Sequence, residues 1–362
     1  MGRRFTYLDE LRGVAAVSVA ILHAAQAFDF PIHAQAYLAV DFFFCLSGFV
    51  LSKAYEERLH RGNLGGRSFL LKRVLRLYPM IFIGVVLGII ATLLSTAPEA
   101  PGLGDVPMLA VSGLLLLPYG LFLGIQAYPL NNPLWSLFFE LAVNALYGFA
   151  GAGKRRLVRD VVVLCGLAAA LCVIIFREGT VESAGYSNWW TFLEGLPRVG
   201  YSFFAGVLIA RWNVTARLPR VRSSWPLILL LVILFTPLPR EMGPELFAAI
   251  HVAYDIVGVT LGLPLVVALA STVTESSSPD FGQHMGRLSY PFYAIHQPVI
   301  RLVAEAQKAS GGVVPLPASV ALALVAAGGL AQLLSVHIEE PVLKWLARAK
   351  TPSRKERALN TE

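Results

Sequence analysis

The sequence predicts an all-α, polytopic integral membrane protein, and three observations carry the prediction. Charged residues make up only 15% of the 362-residue chain, against 56% hydrophobic, whereas a water-soluble domain needs about 25% charged residues to cover its surface. Apolar runs of bilayer-crossing length, about 20 residues each, recur from one end to the other. The basic residues between them are segregated rather than scattered. No stretch is polar enough for a separate soluble domain, so residues 1–343 read as one transmembrane unit and 344–362 as a basic tail.

Taken in order, the first apolar window, 12–29, follows the basic leader MGRRFTYLDELRG. The leader has a signal peptide's charge but no convincing small-x-small cleavage site, and Arg12 and His23 interrupt the apolar stretch, so it reads as a retained first helix. Further windows centre on 37–56, 77–97, 134–151, 157–176, 195–211, 224–237, 247–271, 288–306 and 316–338, of which 224–237 is the shortest. The stretch 107–126 is also apolar, but its GLLLLPYGLFLG centre places Gly113, Pro118, Gly120 and Gly124 where a helix would break. Cys45, Cys165 and Cys172 all fall in apolar runs, and their spacing suits packing rather than zinc or disulfides.

Charge sets the expected topology. Segments 53–76, 151–160, 211–222 and 344–357 hold seven, four, four and six Lys/Arg; with Arg3, Arg4, Arg12 and Arg287 these account for 25 of the 30 basic residues. The positive-inside rule puts them all in the cytoplasm, with both termini. Window 77–97 then exits and 134–151 must enter, so 107–126 is expected to be a re-entrant or broken hairpin on the outer side, with an ordinary eleventh span as the alternative. About ten spans result. The net charge of +7 reflects this distribution rather than a nucleic-acid partner.

Ionisable side chains inside a span cost roughly 3 kcal/mol each by insertion scales, so they are paired or functional. Arg12 and His23 are eleven residues apart, which on a helix returns to within about 20° of the same face after a rise of about 16 Å. Arg12 therefore sits at the cytoplasmic mouth and His23 near mid-bilayer, either as a general base or as a packing residue. Asp41 lies near the outer end of the second window. Trp135, Ser136 and Glu140 open the fourth, with Ser136 and Glu140 on one face. Glu140 is expected either to orient His23 or to pair with an arginine. His296 reaches mid-bilayer nine residues beyond Arg287, and His251/Asp255 form an i,i+4 pair of structural character. Arg198, against the basic-inside trend, should face an anionic acceptor group or pair with a carboxylate. In LKRVLRLYP, Arg73 and Arg76 are i,i+3 with Lys72 beside them, suited either to phosphate or to lipid headgroups.

These motifs line up with a family. LDELRGVAAVSVAILH, FFFCLSGFVLS, KRVLRLYP, NPLWSLFFE, GRLSYPFYAIHQP and the IEEP of 338–341 occur in series along nearly the whole chain. The sequence resembles the type-three membrane acyltransferases, bacterial O-acyltransferases that modify extracytoplasmic molecules, in a standalone form without an appended hydrolase-like domain. The resemblance implies that Arg12 and His23 are essential to transfer. It further implies that Arg73 and Arg76, with Lys72, serve acyl-CoA, acetyl-CoA by default, as a co-substrate on the cytoplasmic side. No permanently bound cofactor and no metal is expected.

The expected reaction has His23 removing a proton from an acceptor hydroxyl that attacks the thioester, an acyl-His intermediate being the variant. Glu140 or Asp41 would hold the imidazole, and Arg12 or Ser136 would steady developing charge. Trp135, Ser136, Tyr293, His296 and Arg198 are expected at the acceptor, a carbohydrate, glycoconjugate or small molecule entering from the outer side. Loops 98–106, 127–133, 177–194 and 238–246 should line that vestibule, with Tyr186, Trp189 and Trp190 stacking on the acceptor or forming an interfacial belt. The competing class is a secondary transporter or flippase, for which the sequence shows no inverted repeat.

Overall fold

The computed structural model describes residues 5–32, 34–97, 100–150, 157–273 and 279–349. Arg3, Arg4, Lys154, Arg155 and Arg156, part of the 98–106 loop and most of the 344–362 tail lie outside these described residues. Within them the chain is helical and has no strand. The helices are α1 (Thr6–Ala27), α2 (Ala39–His60), α3 (Gly66–Leu93), α4 (Val106–Leu114), α5 (Leu134–Phe149), α6 (Leu157–Glu178), α7 (Trp189–Arg211) and α8 (Ser224–Phe235). They continue with α9 (Pro244–Val257), a π turn into α10 (Leu263–Ala270), α11 (Pro279–Ala309), α12 (Leu316–Leu334) and a second π turn into α13 (Glu340–Ala349).

Among the described residues, six helical stretches are long and apolar enough to cross a membrane, built on α2, α3, α6, α7, α9–α10 and α12–α13. That is fewer than the ten windows read from the sequence. Two of the others, α5 and α8, are apolar but shorter. Both α1 and α11 have the length, at 22 and 31 residues, but polar residues such as Arg12, His23 and Gln26 in one and Arg287, His296 and Arg301 in the other dilute their hydropathy. Those two helices carry the candidate site described below.

The 107–126 stretch is broken. Its one helix, α4, has nine residues, a rise of about 14 Å, too short for a hydrocarbon core of about 30 Å. After it the chain turns at Leu116, where φ is +53°, passes Pro118 and closes a 3-10 turn at Gly124. The freed backbone is satisfied from within: Leu117 N–H donates to Ser112 O at 2.7 Å and the Tyr128 hydroxyl to Leu116 O at 2.8 Å. Non-helical backbone at membrane depth requires this kind of internal pairing.

Small residues let the central helices meet closely. Ala16, Ala20 and Ala24 of α1 repeat every fourth residue, as do Ala323, Ala327 and Ala331 of α12, and all six are buried in one cluster with α11. Between α2 and α7 the backbones touch: a Cβ on Gly48 would lie 1.9 Å from Phe203 O, and one on Gly206 1.8 Å from Cys45 O. In lipid, where helix association gains little from apolar burial, such small-residue contacts are the main packing device.

Polar contacts tie the helices to one another near their ends. Arg211 of α7 bridges Glu56 of α2 and Asp160 of α6, each at 3.0 Å, while Arg12 of α1 reaches Ser289 of α11. At the opposite end Arg301 of α11 donates to the carbonyls of Pro129 and Leu130 at 3.0 and 3.2 Å, fixing the strap that leads into α5.

Because the Gly206 contact is backbone on backbone, Gly206→Ala should lower the thermal midpoint of the detergent-solubilised protein, corresponding to about 1–3 kcal/mol of overpacking. Gly328→Ala, where nothing lies within 4 Å of the added carbon, should leave the midpoint unchanged or raise it. Equal midpoints for the two variants would contradict this account of the α2–α7 interface.

Candidate active site

Two cavities lie back to back between α1, α2, α5 and α11. The first, about 140 Å³, has three guanidiniums in its wall, those of Arg12, Arg73 and Arg76, and one carboxylate, that of Glu140. The rest of its lining is apolar, from Phe43, Phe44 and Leu46 on α2 to Leu137 on α5, apart from the hydroxyl-bearing Ser47, Ser136, Ser289, Tyr290 and Tyr293. The second, about 320 Å³, is walled by His23, Gln26, Gln126, Asn132, Trp135, Glu182, Tyr186 and Gln297. Val40 and Tyr293 line both and form the partition between them.

In the arginine chamber, α3 begins at Gly66, so Arg73 and Arg76 fall on its second and third turns. Arg73 Nη2 lies 2.6 Å from Glu140, whose carboxylate also accepts from Ser47 Oγ at 3.4 Å. Arg76 is exposed to the cavity. Arg12 donates from Nε to Ser289 Oγ at 2.7 Å and through Nη2 to the Gly286 carbonyl, and lies 3.2 Å from Asp9. Three guanidiniums against one lining carboxylate give this end the chemistry that suits an anion.

In the second chamber the imidazole of His23 meets that of His296, Nδ1 to Nε2 at 2.7 Å, with the ring planes 6° apart. Hydrogen-bond logic assigns the tautomers. His296 Nδ1 faces the Tyr293 carbonyl at 2.7 Å, an acceptor only, so His296 carries its proton there and its Nε2 must accept. His23 then donates from Nδ1, and its Nε2 holds the free lone pair. A base oriented by a second group is the arrangement that general-base chemistry uses. Tyr293 serves twice: its carbonyl fixes His296, and its hydroxyl meets Ser136 Oγ at 2.8 Å beside the partition.

A family model described as an acyltransferase domain matches residues 5–336. The chain belongs to that family. This acyltransferase is similar to Protein 2 in picA locus of Rhizobium radiobacter, 37% identical over 48% of this chain and 96% of that protein. It is also similar to Acyltransferase MdmB of Streptomyces mycarofaciens, 27% identical over 96% of this chain and 94% of that protein. No solved structure matches the chain. With its apolar helices, the molecule is a membrane acyltransferase.

Within the acyltransferase site the sequence-level candidates divide. Arg12, Arg73, Arg76, Glu140, Ser136 and Tyr293 come together in the first chamber, and His23, His296, Trp135 and Tyr293 in or against the second. Lys72 does not line the arginine chamber. Neither Glu140 nor Asp41 is bonded to His23. Glu140 takes the alternative role of pairing with an arginine, and the imidazole's partner is His296, which the sequence reading placed with the acceptor.

Asp41 and Arg198 are each other's partners: Asp41, expected at the catalytic base, is not there, whereas Arg198 takes its alternative of pairing with a carboxylate and also lines the second cavity. Both are buried, with Nη2–Oδ2 at 2.8 Å and Nε–Oδ1 at 3.1 Å. The remaining guanidinium donors go to the carbonyls of Val181, Ala184 and Tyr37 at 2.7, 2.9 and 3.4 Å. All five donors of the group are thus occupied, and the Trp135 ring covers it at 5.3 Å. Trp189 and Trp190 are exposed and line neither cavity, while Tyr186 does line the second. Gln26, Gln126, Gln297 and Glu182 escaped the sequence reading. The two detectable in hindsight are Gln26, one helical turn beyond His23, and Gln297, the neighbour of His296. Among the described residues no His, Cys, Asp or Glu group of three or more is placed to hold a metal ion.

Removing one partner of a buried ion pair leaves an uncompensated charge, so Asp41→Asn should destabilise the protein by about 3–5 kcal/mol, read as a fall in thermal midpoint and in the folded fraction. Asp41→Leu combined with Arg198→Met should recover much of that loss. An Asp41→Asn protein that is fully stable yet inactive would overturn this structural role.

Proposed function

We propose that the protein is an O-acyltransferase of the bacterial inner membrane, moving an acyl group, acetyl in the first instance, from cytoplasmic acyl-CoA to a hydroxyl of an extracytoplasmic carbohydrate or glycoconjugate. The observation that carries the reading is the pair of chambers: an arginine-lined cavity and an oriented imidazole, separated by the side chains of Val40 and Tyr293. The arginine chamber opens to the cytoplasm in this reading, with both termini on that side.

The phosphates of the donor rest on Arg76, with Arg73 and Arg12 adding field from positions already fixed by Glu140 and Ser289. The pantetheine arm runs along the apolar wall of α2 and α5 toward the partition, where displacement of the Tyr293 side chain lets the thioester reach His23. His23 Nε2 takes the proton of the acceptor hydroxyl as its oxygen bonds to the thioester carbon. The C–S bond of the tetrahedral adduct then breaks, and the imidazolium returns its proton to the departing CoA sulfur. During this cycle the lone pair of His296 Nε2 stays on the His23 Nδ1–H, so the positive charge forms against a fixed dipole. The Tyr293 and Ser136 hydroxyls, 2.8 Å apart beside the partition, are the groups this reading assigns to the oxyanion.

Titration of the purified protein in nanodiscs with acetyl-CoA separates the two chambers. Wild type should bind saturably, and Arg73→Ala/Arg76→Ala should not. His23→Ala should bind acetyl-CoA normally while its transfer rate falls by about 10²–10⁴-fold, the range for loss of a general base. His296→Phe should likewise spare binding and lower the rate. A folded wild-type protein that binds no acyl-CoA would sink the donor assignment and favour transport of a substrate through the two chambers.

A further inference from the structure

A second lobe extends the His23 chamber. It encloses about 210 Å³ and is lined by Ile32, Gln35, Leu238, Phe247 and His251, and it shares Leu22, Gln26, Tyr37 and Glu182 with the chamber itself. Glu182 therefore stands at the junction of the two lobes.

The charged groups around that junction are spoken for, with one exception, while the Gln26 amide shared by both lobes bonds to none of the described residues. Asp255 is fully buried and accepts from the Tyr37 hydroxyl at 2.7 Å, the Thr180 hydroxyl at 2.8 Å and Val181 N–H at 2.8 Å. Since Tyr37 spends its proton on Asp255, its oxygen accepts from His251 Nε2–H at 2.8 Å, which leaves Nδ1 as that ring's acceptor. Arg198 has all its donors occupied, as shown above. Glu182 is the exception. Its backbone is bonded, its N–H to Thr180 Oγ1 at 3.1 Å, but its half-buried carboxylate accepts no hydrogen bond and forms no ion pair among the described residues. Burial raises its pKa, an effect that the nearby Arg198 charge offsets in part. Tyr186 beside it is raised too, first by burial and then by the Glu182 charge.

A carboxylate held in a cavity without a partner is costly unless a ligand supplies the missing charge. We infer that the two lobes form one acceptor site for a substrate bearing a protonated amine, with Glu182 as the counter-ion and the reactive hydroxyl presented to His23. At the junction Glu182 and His251 Nδ1 present acceptors, the Gln26 amide can donate or accept, and the cationic group nearest by, Arg198, is neutralised by Asp41, so the one unbalanced charge is negative. An anionic acceptor would meet the carboxylate without an available cation to balance it. The inference rests on the acyl-transfer reading only in taking the His23 chamber as the acceptor's.

The test needs no acyl donor. Full-length protein in nanodiscs is titrated with methyl glucosaminide and methyl glucoside, two probes differing in one amine, at a pH where the amine is protonated, and binding is read by saturation-transfer NMR. Wild type should bind the amino sugar about tenfold more tightly, equivalent to about 1.4 kcal/mol. Glu182→Gln should abolish the difference without weakening the neutral sugar, and Glu182→Asp, which keeps the charge, should retain most of it. Equal binding of the two sugars by wild type, no binding of either, or a preference that survives Glu182→Gln would each overturn the inference. Acetyl-CoA binding by the same preparations reports the donor chamber independently, so failure of one proposal is distinguishable from failure of the other.

Discussion

The Asp41–Arg198 pair is the constraint around which the molecule is arranged. A guanidinium and a carboxylate with almost no exposure are tolerable in a low-dielectric interior only when every donor is matched. Matching them draws in four chain segments: α2 supplies Asp41, α7 supplies Arg198, the turn before α2 supplies the Tyr37 carbonyl, and the loop before α7 supplies those of Val181 and Ala184. The same loop brings Glu182 and Tyr186 to the His23 chamber, and Trp135 closes over the guanidinium from α5. One buried ion pair thereby positions most of one wall of the chamber. The glycine contact between α2 and α7 makes the pairing possible, since bulkier residues would hold the two backbones apart.

A similar economy governs α11. Arg12 fastens α1 to its first half through Ser289 and Gly286, His23 meets His296 at its middle, and Arg301 binds the strap before α5 near its far end. Asn131 and Asn132 complete that attachment, one donating to the Ala294 carbonyl at 2.8 Å and the other accepting nothing there but giving its N–H to Gln297 at 2.7 Å. The dyad is held from both sides, which is the rigidity a base needs if it is to act on a hydroxyl delivered to one fixed point.

The fold class was legible because bilayer burial leaves a compositional record in every span, and the break at 107–126 because Gly113, Pro118 and Gly120 announce it. Helix number was less so. The helices that carry the candidate site, α1 and α11, are diluted by the very polar residues that line it, so hydropathy is weakest where the candidate site lies. In the site, Arg73 and Arg76 sit in one contiguous motif and could be grouped from spacing alone, whereas Arg12 and Glu140 join them from other helices. The dyad could not, because His23 and His296 are 273 residues apart, and a lone histidine in a span does not name its partner. Asp41 misled for the same reason, and the carboxylate that Arg198 was expected to meet as one alternative could not be named. Each looked unpaired on its own helix, and only the approach of α2 to α7 shows that each is answered by the other. Glu182 lies in a loop without periodicity, where sequence offers nothing to separate it from an ordinary surface carboxylate.

The partition formed by Val40 and Tyr293 bears on a cost that lies outside catalysis. If the two chambers open to opposite faces, as the proposed reaction requires, a continuous water path between them would act as a proton leak and run down the ion-motive force that the membrane stores. Two side chains, one apolar and one pinned by a hydroxyl contact to Ser136, interrupt that path at rest. An acyl arm that displaces them fills the opening with its own methylene and amide groups while it does so. The substrate would then serve as the plug of the passage it opens, and the enzyme could join two aqueous compartments chemically without ever joining them electrically.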